Sequence, residues 1–298
     1  SIKQRSRHDP ELGRFWREGE ISWWWYRAPI ETQAMMIEAF DEIMGDARAV
    51  EECKVWLLKQ KQTQAWRTNR STADAIYALL LRGNDLLKPN AAVAVSLGGQ
   101  RVETGGAEAG TGFYERRFAR TEVSPDLGKV TVEKTDQGVA WGSLHWQYLE
   151  EVDKVRSYRG APLQLEKTVY RKVNSKEGPL LEKVRGRAHV GEQLVCRLVL
   201  RTDRDMEFVY LKDQRGSGTE PVAVLSRYHY QDGLYYYQSM QDTAGHFYID
   251  YLPKGTYVFE YAVRVQHRGR YQMGHAQIQC LYAPEFNSHS GSAILHVD

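Results

Sequence analysis

The sequence is short of nearly every signal that announces chemistry. It holds three cysteines in 298 residues, Cys53, Cys196 and Cys280. None sits in a C-x-x-C pair or beside clustered histidines, so a zinc site has no ligand set. No G-x-S-x-G nucleophile elbow occurs; Gly216-Ser217-Gly218 stands in turn sequence, not between a strand and a helix. His229, His246, His267 and His275 lie in strand-like sequence without close ligand spacing, and read as half-exposed strand residues. Charge of one sign is missing too: 40 Lys and Arg face 38 Asp and Glu, a formal +2. Bulk electrostatics therefore call for neither nucleic acid nor an anionic membrane. The carboxylate pairs Glu51-Glu52 and Glu150-Glu151 read as solvated surface. No apolar run approaches the roughly 20 residues of a membrane helix. The opening SIKQRSRHDPELGRF is too polar for an export signal, and its abrupt start reads as a piece of a longer polypeptide. No short-period repeat is present. These absences leave no catalytic residue, no metal site and no cofactor to expect.

What the chain does have is periodicity. From Pro29 to Gly83 the apolar spacing is helical: Ile30, Ala34, Ile37, Phe40 and Met44 recur at three- and four-residue steps until Gly45. Asp46 is placed to cap a second helix carrying Val50, Cys53 and Leu57. A third is expected from Ser71, where Ser71 and Asp74 have capping-box spacing, carrying Ile76, Leu79 and Leu80 and closing at Gly83. Trp66 in the connector is placed to pack on both neighbours. Faces that include Trp56, Leu57, Tyr77 and Leu80 need more partners than three helices offer.

After Pro89 the period changes from helix to strand. Val93 to Leu97, Phe113 to Arg120, Gly128 to Glu133 and Val139 to Leu149 read as strands. From Leu163 a second β module begins: Leu165 to Val173, Gln193 to Leu200, Glu207 to Leu211, Val222 to Tyr230 and Leu234 to Met240. Phe247 to Phe286 adds three alternating runs. Alternation is clean in Tyr257, Phe259, Tyr261, Val263 and Val265, which read as the inward face of an antiparallel sandwich. The expected fold is multidomain α+β: helical hairpins over 1–88, a small β domain over 89–160 and a β-sandwich over 161–298. Cys53 is expected in helix packing. A Cys196–Cys280 disulfide is open to an exported chain, but buried free thiols are the reading their contexts favour.

Two aromatic clusters stand out, Trp23-Trp24-Trp25-Tyr26 before the first helix and Tyr235-Tyr236-Tyr237 in the sandwich. Consecutive residues of an extended segment point to opposite faces. At least one ring of each cluster should thus meet solvent or another domain, a contact surface within a larger protein.

Three stretches resemble one family. Over Glu31 to Leu80, Trp56, Leu57, Leu58, Gln60, Trp66, Thr68, Thr72, Ala78 and Leu79 match the last helices of the thioester domain of the alpha-2-macroglobulin superfamily. Over Val190 to Val222, Gly191, Val209, Asp213, Gly218, Glu220 and Pro221 match its receptor-binding-like sandwich, with Gly216 and Ser217 where the family has proline and alanine. Near the end, Leu252, Pro253, Gly255, Tyr261, Arg264, Gly269, Tyr282, Pro284 and Glu285 match the family's closing pattern, and WGSLHWQYL (141–149) is similar to the intervening β domain. The wording is nearest the bacterial branch.

The resemblance implies the end of an α/α toroid followed by two all-β sandwich domains. It implies the C-terminal part of an exported, non-enzymatic protease trap, periplasmic or at the outer membrane and cell surface. Its partners would be proteases, met through the full-length parent, and upstream domains of the same polypeptide, with a hinge around Lys88 to Asn90. The family's reactive Cys–Gln thioester lies in a C-x-E-Q sequence that does not occur here; Cys53 sits in Glu51-Glu52-Cys53-Lys54. The rival readings are a cell-surface adhesin or glycan-binding module and, third, a toroid enzyme with acidic residues converging in a cleft.

Overall fold

A computed structural model describes residues 2–16, 28–83, 93–103, 113–135, 140, 142–158, 162–176 and 178–298. Two compact units emerge, one of 1–61 with 66–142 and one of 62–65 with 143–298.

The first unit opens with a short helix, α1 (Ile2–Arg5), and a hairpin of β1 (Arg7–Asp9) and β2 (Gly13–Phe15). Three longer helices follow: α2 (Pro29–Glu42), α3 (Ala47–Thr63) and α4 (Asn69–Leu81). Proline opens α2, where its missing donor costs nothing. Asp46 caps α3 as its position suggested, its carboxylate accepting from the Ala49 amide at 3.1 Å. The third helix begins earlier than expected. Thr68 is its cap, accepting from the Ser71 amide at 2.9 Å, because the threonine hydroxyl reaches that orphan donor before the Ser71-to-Asp74 spacing comes into play. Ser71 instead donates to Glu31 at 2.7 Å and ties α4 to the start of α2.

Ile30, Ala34, Ile37 and Phe40 pack with Val50, Cys53, Trp56 and Leu57 and with Ala75, Ala78 and Leu79. Trp66 packs against this cluster, half-buried. Met44 and Ile76, expected inside, are exposed. Met44 lies past the last turn of α2, and on α4 the inward stripe is taken by Ala75, Ala78 and Leu79. The polar opening segment joins the core through Phe15, stacked on Trp56 at 6.3 Å, and through Trp16, stacked on Phe40 at 5.9 Å. Arg14 fixes it electrostatically, its Nε donating to Glu52 at 2.8 Å.

The middle of the chain is sparser than the expected sandwich. Among the described residues it holds one antiparallel sheet, in which β3 (Ala94–Leu97) lies between β4 (Gln100–Arg101) and β5 (Val130–Glu133). Residues 113–119 form no strand and run into a short 3-10 turn, Arg120–Glu122. Residues 142–150 form none either. Their apolar alternation lacks a described neighbour to satisfy the backbone, and strands exist only in pairs.

The second unit is the sandwich. Its strands are β6 (Leu163–Ser175), β7 (Gly178–Lys183), β8 (Arg187–Ala188), β9 (Gln193–Thr202), β10 (Met206–Gln214), β11 (Thr219–Pro221), β12 (Arg227–Gln231), β13 (Leu234–Met240), β14 (Ala244–Leu252), β15 (Gly255–Val265), β16 (Gly269–Gln272), β17 (Ala276–Cys280), β18 (Asn287–His289) and β19 (Ile294–Val297). One sheet runs β12-β13-β14-β10-β17-β18 and the other β11-β15-β9-β6-β7, with β16-β19-β8 as a third, small sheet. Residues 222–226, expected to begin a strand, are irregular. The alternating face of β15 points inward as its pattern requires: Tyr257, Phe259, Tyr261, Val263 and Val265 are all buried. Leu198, Leu200, Leu211 and Phe247 meet them in the core.

Candidate functional site

The β12–β13 hairpin turns at Asp232-Gly233, with φ of 51° and 79°. Two successive positive φ values suit a two-residue primed turn, for which Asp-Gly is a preferred sequence. That turn fixes the register: Tyr230 faces Tyr235, His229 faces Tyr236 and Tyr228 faces Tyr237. Pairing continues from Tyr237 to Tyr248 on β14, from Tyr248 to Tyr210 on β10, from Tyr210 to Gln279 on β17 and from Gln279 to Asn287 on β18. Four tyrosines and two carboxamides thus form one row across all six strands, ~24 Å long at the usual strand spacing.

Half of this row, Tyr228, Tyr248 and Gln279, is exposed on the outer side of the sheet, as are the neighbouring Tyr230 and Tyr235. Tyr228 is 61% exposed, Tyr235 54% and Tyr248 42%, and Tyr230 beside them is 76% exposed. The rings brace one another. Tyr228 stacks on Tyr235 at 5.1 Å and meets Tyr237 at 4.9 Å, and Tyr248 stacks on Tyr210 at 5.1 Å. The Tyr210 hydroxyl lies 2.6 Å from Nδ1 of His246, whose pKa is pushed down by burial and by nearby Lys212. Burial in turn raises the Tyr210 phenol, so both groups are neutral near pH 7.

Of the three consecutive tyrosines singled out in the sequence, two belong to this outer face. Tyr235 is exposed and Tyr237 half-buried in the row. Tyr236 points into the core, 5% exposed, edge-on to Phe259 at 5.0 Å. The second aromatic cluster, Trp23, Trp24, Trp25 and Tyr26, and the hinge around Lys88 to Asn90 lie outside the described residues. Sequence reasoning missed Tyr210, Tyr228, Tyr230 and Tyr248, which sit on three other strands. The Asp232-Gly233 turn was the available signal for the first pairing. Truncating Tyr236→Ala should cost about 3–5 kcal/mol, as for other large buried rings. Tyr235→Ala should cost only about 1 kcal/mol, the worth of one exposed ring pair. Paired urea titrations check the contrast.

Behind this face, in the sandwich interior, lies a polar cluster. Lys167 on β6 donates to Asp213 on β10 at 2.6 Å, their side chains 5% and 0% exposed. The ammonium also donates to the carbonyls of Gln214 and Met273. The hydroxyl of Tyr261 donates to the other Asp213 oxygen at 2.6 Å. Every strong group here is satisfied, and the pair links the two sheets. Its burial and full pairing suit a structural clamp and leave no free acid or base.

All three cysteines are free and buried. Burial pushes the Cys53 thiol up to about 12 and the Cys196 thiol up to about 11, the opposite of an activated nucleophile. A thiol-reactive dye at pH 8 should label none of them in the folded protein and all three after denaturation; rapid labelling of Cys53 would contradict its core placement. Among the described residues no group of three or more His, Cys, Asp or Glu side chains is placed to hold a metal ion, and no helix is long and apolar enough to cross a membrane.

Residues 163–285 match the family profile described as the bacterial alpha-2-macroglobulin MG10 domain. No curated protein matches the chain. Among solved structures, a Salmonella alpha-2-macroglobulin variant shares 15% identity, covering 93% of this chain and 18% of that one, with a TM-score of 0.37. Escherichia coli alpha-2-macroglobulin activated by porcine elastase shares 12%, covering 90% and 24%, at 0.43. Native Escherichia coli alpha-2-macroglobulin from domain MG7 to the C-terminus shares 12%, covering 92% and 43%, at 0.38. The chain thus spans less than half the length of each, and at such scores these likenesses carry no argument about activity. With the profile match resting on the sandwich whose strands, register and core are set out above, the C-terminal region of this chain is alpha-2-macroglobulin-like, residues 163–285 corresponding to the bacterial MG10 domain.

Proposed function

We propose that the chain is the C-terminal portion of an exported bacterial protease trap of the alpha-2-macroglobulin type, and that it supplies docking surfaces rather than chemistry. The observation that carries this reading is the MG10 match over 163–285. In the proposed division, 1–88 is the end of an α/α toroid, 89–160 a small β domain and 161–298 the receptor-binding-like sandwich.

Exposed apolar side chains support an arrangement in which further domains of the parent cover parts of this chain. Met35, Ile76 and Tyr77 are uncovered on the helices and Ile43 at the end of α2, and Leu144, Trp146 and Tyr148 alternate along the unpaired middle segment. A contact with another domain would draw on such side chains. In the proposed mechanism, cleavage of a bait region elsewhere in the parent releases the helical domain from the C-terminal sandwich, a switch by rearranged interfaces and not by catalysis. The high thiol pKa of Cys53 and its burial fit a core residue, so the reactive bond of such a trap would lie outside this chain.

The test uses the full-length parent. Incubated with trypsin, it should protect a large protein substrate while trypsin keeps most of its activity on a small chromogenic peptide. Equal loss on both substrates would indicate an active-site inhibitor, and no protection would remove the trap reading.

A further inference from the structure

The outer tyrosine face of the β12-to-β18 sheet has properties that the trap reading does not use. It follows six strands and exposes the aromatic side chains of Tyr228, Tyr230, Tyr235 and Tyr248 in the same face as the carboxamides of Gln279 and Asn287. Its charge is balanced: Lys212 and Asp250, of opposite sign, both lie on the outward side of their strands, and His246 is held neutral. The rings are already packed on one another at 4.9–5.1 Å, so a ligand pays little to order them.

This combination selects a class of ligand. A nucleic acid or an acidic partner needs a surplus of cations, and the face has one lysine opposed by one aspartate. A lipid surface has no use for a row of hydroxyl and amide groups that would lose water without gaining partners. A chain of sugars offers both halves of what the face presents: apolar C–H surface for the rings and hydroxyls for the phenol and carboxamide tips. We propose that the tyrosine row centred on Tyr228, Tyr237 and Tyr248 binds a neutral polysaccharide laid along the sheet. Binding would be shallow and insensitive to salt, since no ion pair contributes. The inference does not depend on protease trapping.

The experiment is affinity electrophoresis and pull-down of the full 298-residue chain on cellulose, chitin, xylan and mannan, with and without high salt. Retention on at least one of them, unchanged by salt, is expected. The Tyr228→Ala/Tyr248→Ala double variant should bind about tenfold more weakly or worse. Tyr230→Ala, which removes a ring with 76% exposure, should weaken binding with an unaltered melting curve and guards against a folding artefact. No retention on any of the four overturns the proposal. So does retention abolished by salt, which would be ionic, or retention that survives in all the variants, which would place the site elsewhere. Should the face prove to be the contact of a dimer in solution, abolished by Tyr228→Ala, the glycan assignment fails as well. The protease assay is unaffected by any of these outcomes.

Discussion

Replacing Lys167 by methionine should lower the stability of the sandwich by about 3–5 kcal/mol, the cost of leaving one member of a buried ion pair without its partner. Asp213 is fully buried, and besides the ammonium its carboxylate has the Tyr261 hydroxyl. A phenol donates one hydrogen bond but carries no charge to offset that of the carboxylate. With an m-value of about 2 kcal/mol/M, the urea midpoint of the sandwich should fall by about 2 M. The triple variant Lys167→Met, Asp213→Leu, Tyr261→Phe removes charge and hydroxyl together. It should recover most of the loss, because burying an ion pair gains little over burying apolar groups of similar volume. If Lys167→Met is as stable as the parent, the clamp between β6 and β10 is not a source of stability.

The second large effect is expected at Gly13. Its φ is +80°, and a Cβ added there would lie 2.2 Å from the backbone oxygen of Glu52 and 3.1 Å from the amide of Trp56. The left-handed backbone alone costs an alanine about 1–2 kcal/mol, and pushing the hairpin off α3 adds about 1–3 kcal/mol. Gly13→Ala should therefore destabilise the helical unit by about 3 kcal/mol and loosen Phe15 from Trp56. Gly45→Ala is the control. It has φ of +60° and nothing within 4 Å of the added carbon, so only the backbone cost applies. Thermal melts followed by far-UV circular dichroism separate the two. Equal losses would mean that the hairpin does not press on the helix.

Where the sequence was readable, one face of an element was buried and the other wet. In β15 every second residue enters the core, so the period of two survives in the letters. In α2 the stripe from Ile30 to Phe40 faces the helical core in the same way. Residues 113–119 and 142–149 mislead because alternation records what a strand would bury, whereas forming one also needs a neighbour. The start of α4 was misplaced since two hydroxyls three residues apart, Thr68 and Ser71, could each serve as the cap. The site was legible only in part. Tyr235 and Tyr237 stand out as neighbours in sequence, but Tyr210 and Tyr248 join them through pairings between strands that no local pattern encodes. Likewise Lys167 and Asp213 are 46 residues apart, and only the stacking of two sheets reveals that they meet.

In the proposed trap the helical domain and the sandwich are mechanical parts that grip and release each other. The most direct measurement is small-angle scattering of the full-length parent before and after stoichiometric cleavage by trypsin. A release of the helical domain from the sandwich predicts a marked change in radius of gyration, with the polypeptide remaining associated. A scattering curve that stays the same after cleavage would contradict it.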